Sequence, residues 1–309
     1  MWCKSAIAST WPQLSTTAGK STVAPTRCIL SLPRTLLHRR SCSFTQSASG
    51  CPGNFGSASA WRGGNLPRHP PLYAPDLLGC GESDLPQVAY YPEDWAEQLA
   101  SFLEQVVERP AVAVVQGASL AIALELVARY PERLCGLVLG GPPAWSLTTQ
   151  SAAEWQQRLV WNVLASPLGN GFYRWARRRE FLRSFSQRQL FGQSEAVDAE
   201  WLDELQRGAD DPATRHAVFA FLAGFWRRDY GTTIAAIQQP TLVVMGDRAS
   251  SISRTNVTET PEQRLQAYCK CLPNGRGVVI PGRNVLPYES TAEFVRVTAE
   301  FARQLTAGG

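Results

Sequence analysis

Ala111-Val112-Ala113-Val114-Val115-Gln116-Gly117-Ala118-Ser119-Leu120-Ala121-Ile122-Ala123 decides the fold. Residues 111 to 115 form a short continuous apolar run, the pattern of a strand buried on both faces. Leu120 to Tyr130 reads as a helix that is apolar on nearly every side and is ended by Pro131. The whole reversal falls to Gly117, Ala118 and Ser119. A Ser with small neighbours at a sharp strand-to-helix turn is the pattern of an exposed nucleophile, because the turn is strained and its backbone passes close to adjacent strands.

Outward from this turn, strand and helix patterns alternate. Leu72 to Pro75, Leu134 to Leu139, Thr241 to Met245 and Val278 to Ile280 read as further strands. Pro92 opens a helix with Trp95, Leu99, Phe102, Leu103 and Val106 on one face. Thr260-Pro261-Glu262-Gln263 has the order of a capping box, and Ser290 with Glu293 predicts the cap of a last helix carrying Phe294, Val297, Phe301 and Leu305. Such alternation predicts an α/β fold with a mostly parallel sheet covered by helices on both faces.

Three further segments carry a family resemblance: Asp76-Leu77-Leu78-Gly79-Cys80-Gly81-Glu82-Ser83-Asp84, about forty residues before the turn; Gly117-Ala118-Ser119-Leu120-Ala121 itself; and Tyr130-Pro131-Glu132-Arg133 followed by Gly136-Leu137-Val138-Leu139. Together they resemble the α/β-hydrolase superfamily over roughly residues 53 to 306. They match its D-L-x-G-x-G-x-S loop, its G-x-S-x-G elbow with Ala121 for the final Gly, and the segment after its nucleophile helix. In general texture the chain looks like the plastid and cyanobacterial group that includes pheophytinase-like esterases.

The resemblance implies a serine-hydrolase triad, in which a His takes the proton of the Ser hydroxyl, a carboxylate orients that His and backbone N–H groups hold the oxyanion. It places the nucleophile at Ser119, the carboxylate at Ala249 in Gly246-Asp247-Arg248-Ala249, and the base at Val285, just before Leu286-Pro287-Tyr288-Glu289. The only histidines are His38, His69 and His216, so none follows the last strand. His216, in a helical insertion, reads as a solvated or cap-packing side chain. Gly53-Asn54-Phe55-Gly56-Ser57-Ala58-Ser59 with Trp61 resembles the family's oxyanion segment, with Pro52 for its His. Upstream of it no strand of the usual apolar type is found, which leaves the first strands of the sheet uncertain.

Residues 142 to 238 match a helical lid, and they hold six of the ten tryptophans, a composition that covers apolar pockets. Within it, Phe172-Tyr173-Arg174-Trp175-Ala176-Arg177-Arg178-Arg179-Glu180-Phe181 interleaves aromatic and basic residues. That pattern fits peripheral contact with an anionic membrane, and equally a lid helix with its arginines solvated.

The 309 residues carry a net charge of +4, yet residues 1 to 75 hold eight Lys/Arg and no acid, leaving 22 basic against 26 acidic residues beyond them. The slightly acidic body argues against nucleic acid as a partner. No apolar run reaches the length of a membrane span. Sixteen Ser or Thr with scattered Arg in residues 1 to 50 give the composition of a transit peptide, plastid in preference to mitochondrion, or of a disordered tail. The cysteines lack the paired spacing of a zinc site, and no cofactor or metal motif occurs. The sequence therefore predicts a leader over 1–50, a hydrolase core over 51–141 and 239–309, and a lid over 142–238. The expected function is that of a catalytically impaired esterase descendant binding a hydrophobic small molecule or a protein partner. The alternative is an active serine esterase on an apolar ester, with Ser119 as nucleophile.

Overall fold

The computed structural model describes residues 28–32, 71–252 and 259–307. Its sheet has six strands, β1 Cys28–Leu32, β2 Leu72–Tyr73, β3 Ala111–Gln116, β4 Leu134–Gly140, β5 Thr241–Gly246 and β6 Gly275–Ile280, in the order β2-β1-β3-β4-β5-β6. All five pairings are parallel. Helices α1 Pro92–Phe102 and α2 Leu120–Arg129 precede and follow β3. Seven helices separate β4 from β5: α3 Trp145–Thr149, α4 Glu154–Ala165, α5 Pro167–Ala176, α6 Arg179–Phe185, α7 Ala199–Gly208, α8 Arg215–Leu222 and α9 Gly231–Ala236. Then come α10 Pro261–Cys271, α11 Leu286–Glu289 and α12 Thr291–Ala307.

Strand β3 shows why the sheet is buried on both faces. Ala111, Ala113 and Val115 join one core with Leu99 and Leu103, Leu124 of α2 and Tyr268 of α10. Val112 and Val114 point the other way, into a second core with Phe294, Val297 and Phe301 of α12. The period-2 alternation of a strand thus serves two apolar layers at once.

Strand β1 falls within the segment read as a leader: Cys28 to Leu32 pair with Ala111 to Val115, which sets residues 28–32 in the sheet between β2 and β3. Averaged over fifty residues, the Ser, Thr and Arg content hides a five-residue run, Cys28-Ile29-Leu30-Ser31-Leu32. The oxyanion-like segment 53–61, His38 and His69 lie outside the described residues.

Three smaller departures have local causes. In α1, Trp95, Leu99, Phe102 and Leu103 are buried as expected, but Val107 replaces Val106. The helix widens over residues 103–107 before Glu108 stops it at φ 58°, and the extra residue per turn moves the inward position on by one. Ser290 does not cap α12, because its hydroxyl donates to the Pro281 carbonyl and Glu293 pairs with Arg296. The Thr260 capping box does form, with Gln263 N–H donating to Thr260 Oγ1 at 3.2 Å and Thr260 N–H to Gln263 Oε1 at 3.0 Å.

The Asp76–Asp84 loop is fixed by its own acid. Asp76 accepts from Glu82 N–H at 3.0 Å, and Ser83 Oγ donates to the Asp76 carbonyl at 2.7 Å. Gly81, at φ +56°, must lack a side chain there because a Cβ would run into the Asp76 carboxylate.

Candidate active site

The C-terminal ends of β3, β5 and β6 bring together the loops in which an α/β sheet places chemistry. Among the non-glycine residues described, only Glu108 has positive φ, so the strain in the turn after β3 is not carried by Ser119. Ser119 lies in the right-handed helical region at φ −62°, ψ −8°, at the start of α2. The strained position is Gly117, at φ +58°, directly after the strand. A Cβ built on Gly117 meets nothing within 4 Å, so the apex of the turn faces open space. That is the position from which a nucleophilic hydroxyl is presented, and it carries no side chain. The positive φ of this turn thus falls two positions before Ser119, the residue that the G-x-S-x-A match puts at the elbow.

Ala249 and Val285, the positions that the resemblance implies for carboxylate and base, both carry apolar side chains. Ala249, in the loop after β5, is buried. The nearby Asp247 carboxylate accepts from Gly282 N–H at 2.9 Å, which ties the β5 and β6 loops together. Val285 is buried in an apolar cluster with Phe191, Val197, Trp201 and Leu202. Its side chain packs against the lid.

Polar groups around these positions are spent on joining loops. Gln116 Nε2 donates to the Asn284 carbonyl, so the residue before Gly117 is held to the residue before Val285. Asn284 Oδ1 accepts from Ser250 N–H at 3.2 Å, and Asn284 Nδ2 donates to the Gln189 carbonyl at 2.7 Å. Asn284 N–H donates to the Leu190 carbonyl at 3.0 Å, and Arg283 donates to the Arg188 carbonyl at 2.6 Å. The Glu289 carboxylate accepts from Gly192 N–H and Arg283 N–H, both at 2.8 Å. Tyr288 Oη then donates to Asp198 at 2.8 Å, and its ring lies 4.8 Å from that of Trp201, tilted by 59°. The loop after β6 is thus bonded along its length to lid residues 188–198, a segment whose importance is not visible in sequence because its carbonyls do the accepting.

Titratable groups outside these loops do not supply the missing chemistry. His216 of α8 is buried, not solvated, and neither ring nitrogen has a hydrogen-bond partner. Burial, with Arg215 adding to it, lowers its pKa and favours the neutral ring. Burial pushes the Cys80 thiol up to about 12, with the Asp76 charge adding to the effect, which makes it inert as a nucleophile. Among the described residues no group of His, Cys, Asp or Glu could hold a metal ion.

The alpha/beta hydrolase family model matches residues 51–297. A haloalkane dehalogenase of Mesorhizobium japonicum is 36% identical over 88 residues, which is 28% of this chain and 28% of that protein, so the match spans under a third of the relative's length. Among solved structures, a thermophilic esterase from Thermogutta terrifontis is similar, with a TM-score of 0.63 at 20% identity over 92% of both chains. An enol-lactonase from Burkholderia xenovorans gives 0.57 at 14% identity, over 75% of this chain and 81% of that one. At such identities these structures speak to the fold alone.

Proposed function

The chain belongs to the alpha/beta hydrolase family, and within it we propose that it is a non-catalytic member of esterase descent that binds a hydrophobic small molecule or a protein partner. What supports this reading is that Gly117, at positive φ, takes the apex of the turn without a side chain, and that Ala249 and Val285 occupy the positions the resemblance implies for carboxylate and base. Loss of triad members costs about 10⁴ to 10⁶ in turnover, and binding effects alone leave only about 10³ over water. Bonding of the β6 loop to the lid supports the same reading, since a hydrolase of this kind must admit and release substrate past that loop. The aromatic-rich lid fits an apolar ligand. The Ser- and Thr-rich, acid-free N-terminal composition supports a plastid location.

The test is hydrolysis of short-chain aryl esters by the full chain beside a Ser119→Ala variant. The expected result is equal, background-level rates. Ser119-dependent turnover near that of ordinary esterases would favour the second reading, an active esterase on an apolar ester, for which the partial exposure of Ser119 speaks. One set of variants separates the two. With Ala249→Asp and Val285→His in place, the esterase reading expects a gain that Ser119→Ala abolishes. The non-catalytic reading expects a gain only after Gly117→Ser is added, and independent of Ser119.

A further inference from the structure

We propose that the outer face of helices α4 and α5 is a docking surface for an anionic lipid bilayer. This goes beyond the reading above and does not involve Ser119, so the two stand or fall separately. Helix α4 has no buried residue at all. Its inner stripe, Gln157, Trp161 and Leu164, rests on the lid, with Gln157 Nε2 donating to the Gly224 carbonyl at 2.7 Å. Its opposite stripe is Trp155, Leu159 and Val163, spaced i, i+4, i+8 and turned to solvent, with Trp155 65% exposed. Helix α5 repeats the arrangement. Tyr173 is buried, and Leu168, Phe172 and Trp175 at i, i+4, i+7 face out, Leu168 being 76% exposed. Helices α4 and α5 touch each other, and both turn apolar stripes outward, the kind of exposure that marks an interaction surface.

Charge selects the occupant. Residues 151–190 contain seven Arg and two Glu, a net charge of +5, whereas the whole chain is only +4, so everything else sums to −1. The Arg177-Arg178-Arg179 run is not free as a block: Arg177 donates to the Ala209 and Asp210 carbonyls, and Arg179 pairs with Asp203 and Gln206. What remains at the surface is Arg174, Arg178 and Arg183, all exposed, with no carboxylate among the described residues paired to them. Arg178 lines a groove of about 500 Å³ with Trp175 and Phe181. Apolar stripes that include Trp, flanked by unpaired guanidinium groups, match the chemistry of a surface that is apolar below and anionic above. A second copy of this chain fits poorly, because a two-fold contact would set this arginine-rich face against itself. No described helix is long and apolar enough to cross a membrane, so the contact is peripheral.

The test is flotation of the full chain with vesicles of phosphatidylcholine alone and of equal parts phosphatidylcholine and phosphatidylglycerol. At about 0.01 M salt, where the Debye length is about 30 Å, the protein should float only with the anionic vesicles, and at about 1 M, where it is about 3 Å, it should not. Arg174→Gln with Arg178→Gln and Arg183→Gln should lower partitioning on the order of a hundredfold, about fivefold for each charge. Trp155→Ser with Leu168→Ser should lower it while leaving the charges intact; these side chains are exposed, so an unchanged thermal melt controls for folding. Absence of flotation at low salt would overturn the proposal, as would equal flotation on neutral vesicles or full retention in both variants. A concentration-dependent dimer abolished by Leu168→Ser would assign the face to a second copy and overturn it too.

Discussion

Trp155 and Trp201 belong to the same helical insertion, yet one is 65% exposed on α4 and the other 2% exposed against Phe191, Tyr288 and Val285. Phe191 and Trp201 pack on the loop after β6, against Val285 and Tyr288. Trp155, Phe172 and Trp175 of α4 and α5 face solvent instead. The difference teaches that this insertion uses some of its aromatic residues to tie the lid to the β6 loop and leaves others open to solvent. Val285 packs into the apolar cluster of the inner lid with Phe191, Val197, Trp201 and Leu202, which ties that loop to the lid.

Paired truncations test the contrast most strongly. Trp201→Ala should cost about 3 to 5 kcal/mol of stability in urea unfolding, because it opens a cavity and leaves the Ser186 hydroxyl without its indole donor. Trp155→Ala should stay within about 0.5 kcal/mol. Equal costs would break the comparison. Asn284→Ala comes next, at about 1 to 3 kcal/mol, since the side chain is buried and serves Gln189 and Ser250. Hydrogen exchange should speed up at Ser250, whose N–H loses its acceptor, and unchanged protection there would show that the loops are not held by this residue.

Gly117→Ala should cost about 1 kcal/mol, from φ +58° alone, as open space surrounds the new methyl group. Ser119→Ala should be within about 0.5 kcal/mol. If the order of these two were reversed, Ser119 and not Gly117 would be the strained residue. The mildest effect is a pH slope from His216. Its pKa is lowered in the folded state, so between the ordinary value of 6.5 and the lower folded value the unfolded chain binds more protons. Stability should be level above pH 6.5 and fall as the pH drops below it. His216→Phe should flatten that part of the slope, and an unaltered slope would show that the ring is not the group responsible.

Much of this architecture is legible in the residues. The Val-rich run of β3 and the Pro131 stop bound the central strand and helix, and Thr260 with Gln263 marks the start of α10, because each signal is local. Ala249 and Val285 are legible as absences for the same reason, being fixed by neighbours such as Gly246 and Leu286-Pro287. Three features are not. Strand β1 has only five residues and depends on pairing with β3, eighty positions away in sequence. The shift of the elbow from Ser119 to Gly117 is a matter of backbone dihedrals, and the letters Gly-Ala-Ser admit both registers. The bonding of residues 188–192 to the β6 loop runs largely through backbone groups, which every residue possesses.

The central claim is that the site has no activated nucleophile, and covalent labelling asks that directly. Full-length protein is incubated with a serine-directed fluorophosphonate, and its intact mass is measured beside that of Ser119→Ala. The account predicts no adduct above the variant's background, because Gly117 and not Ser119 takes the apex of the turn and no histidine bonds to Ser119 among the described residues. A stoichiometric adduct on the native chain that disappears with Ser119→Ala would contradict it.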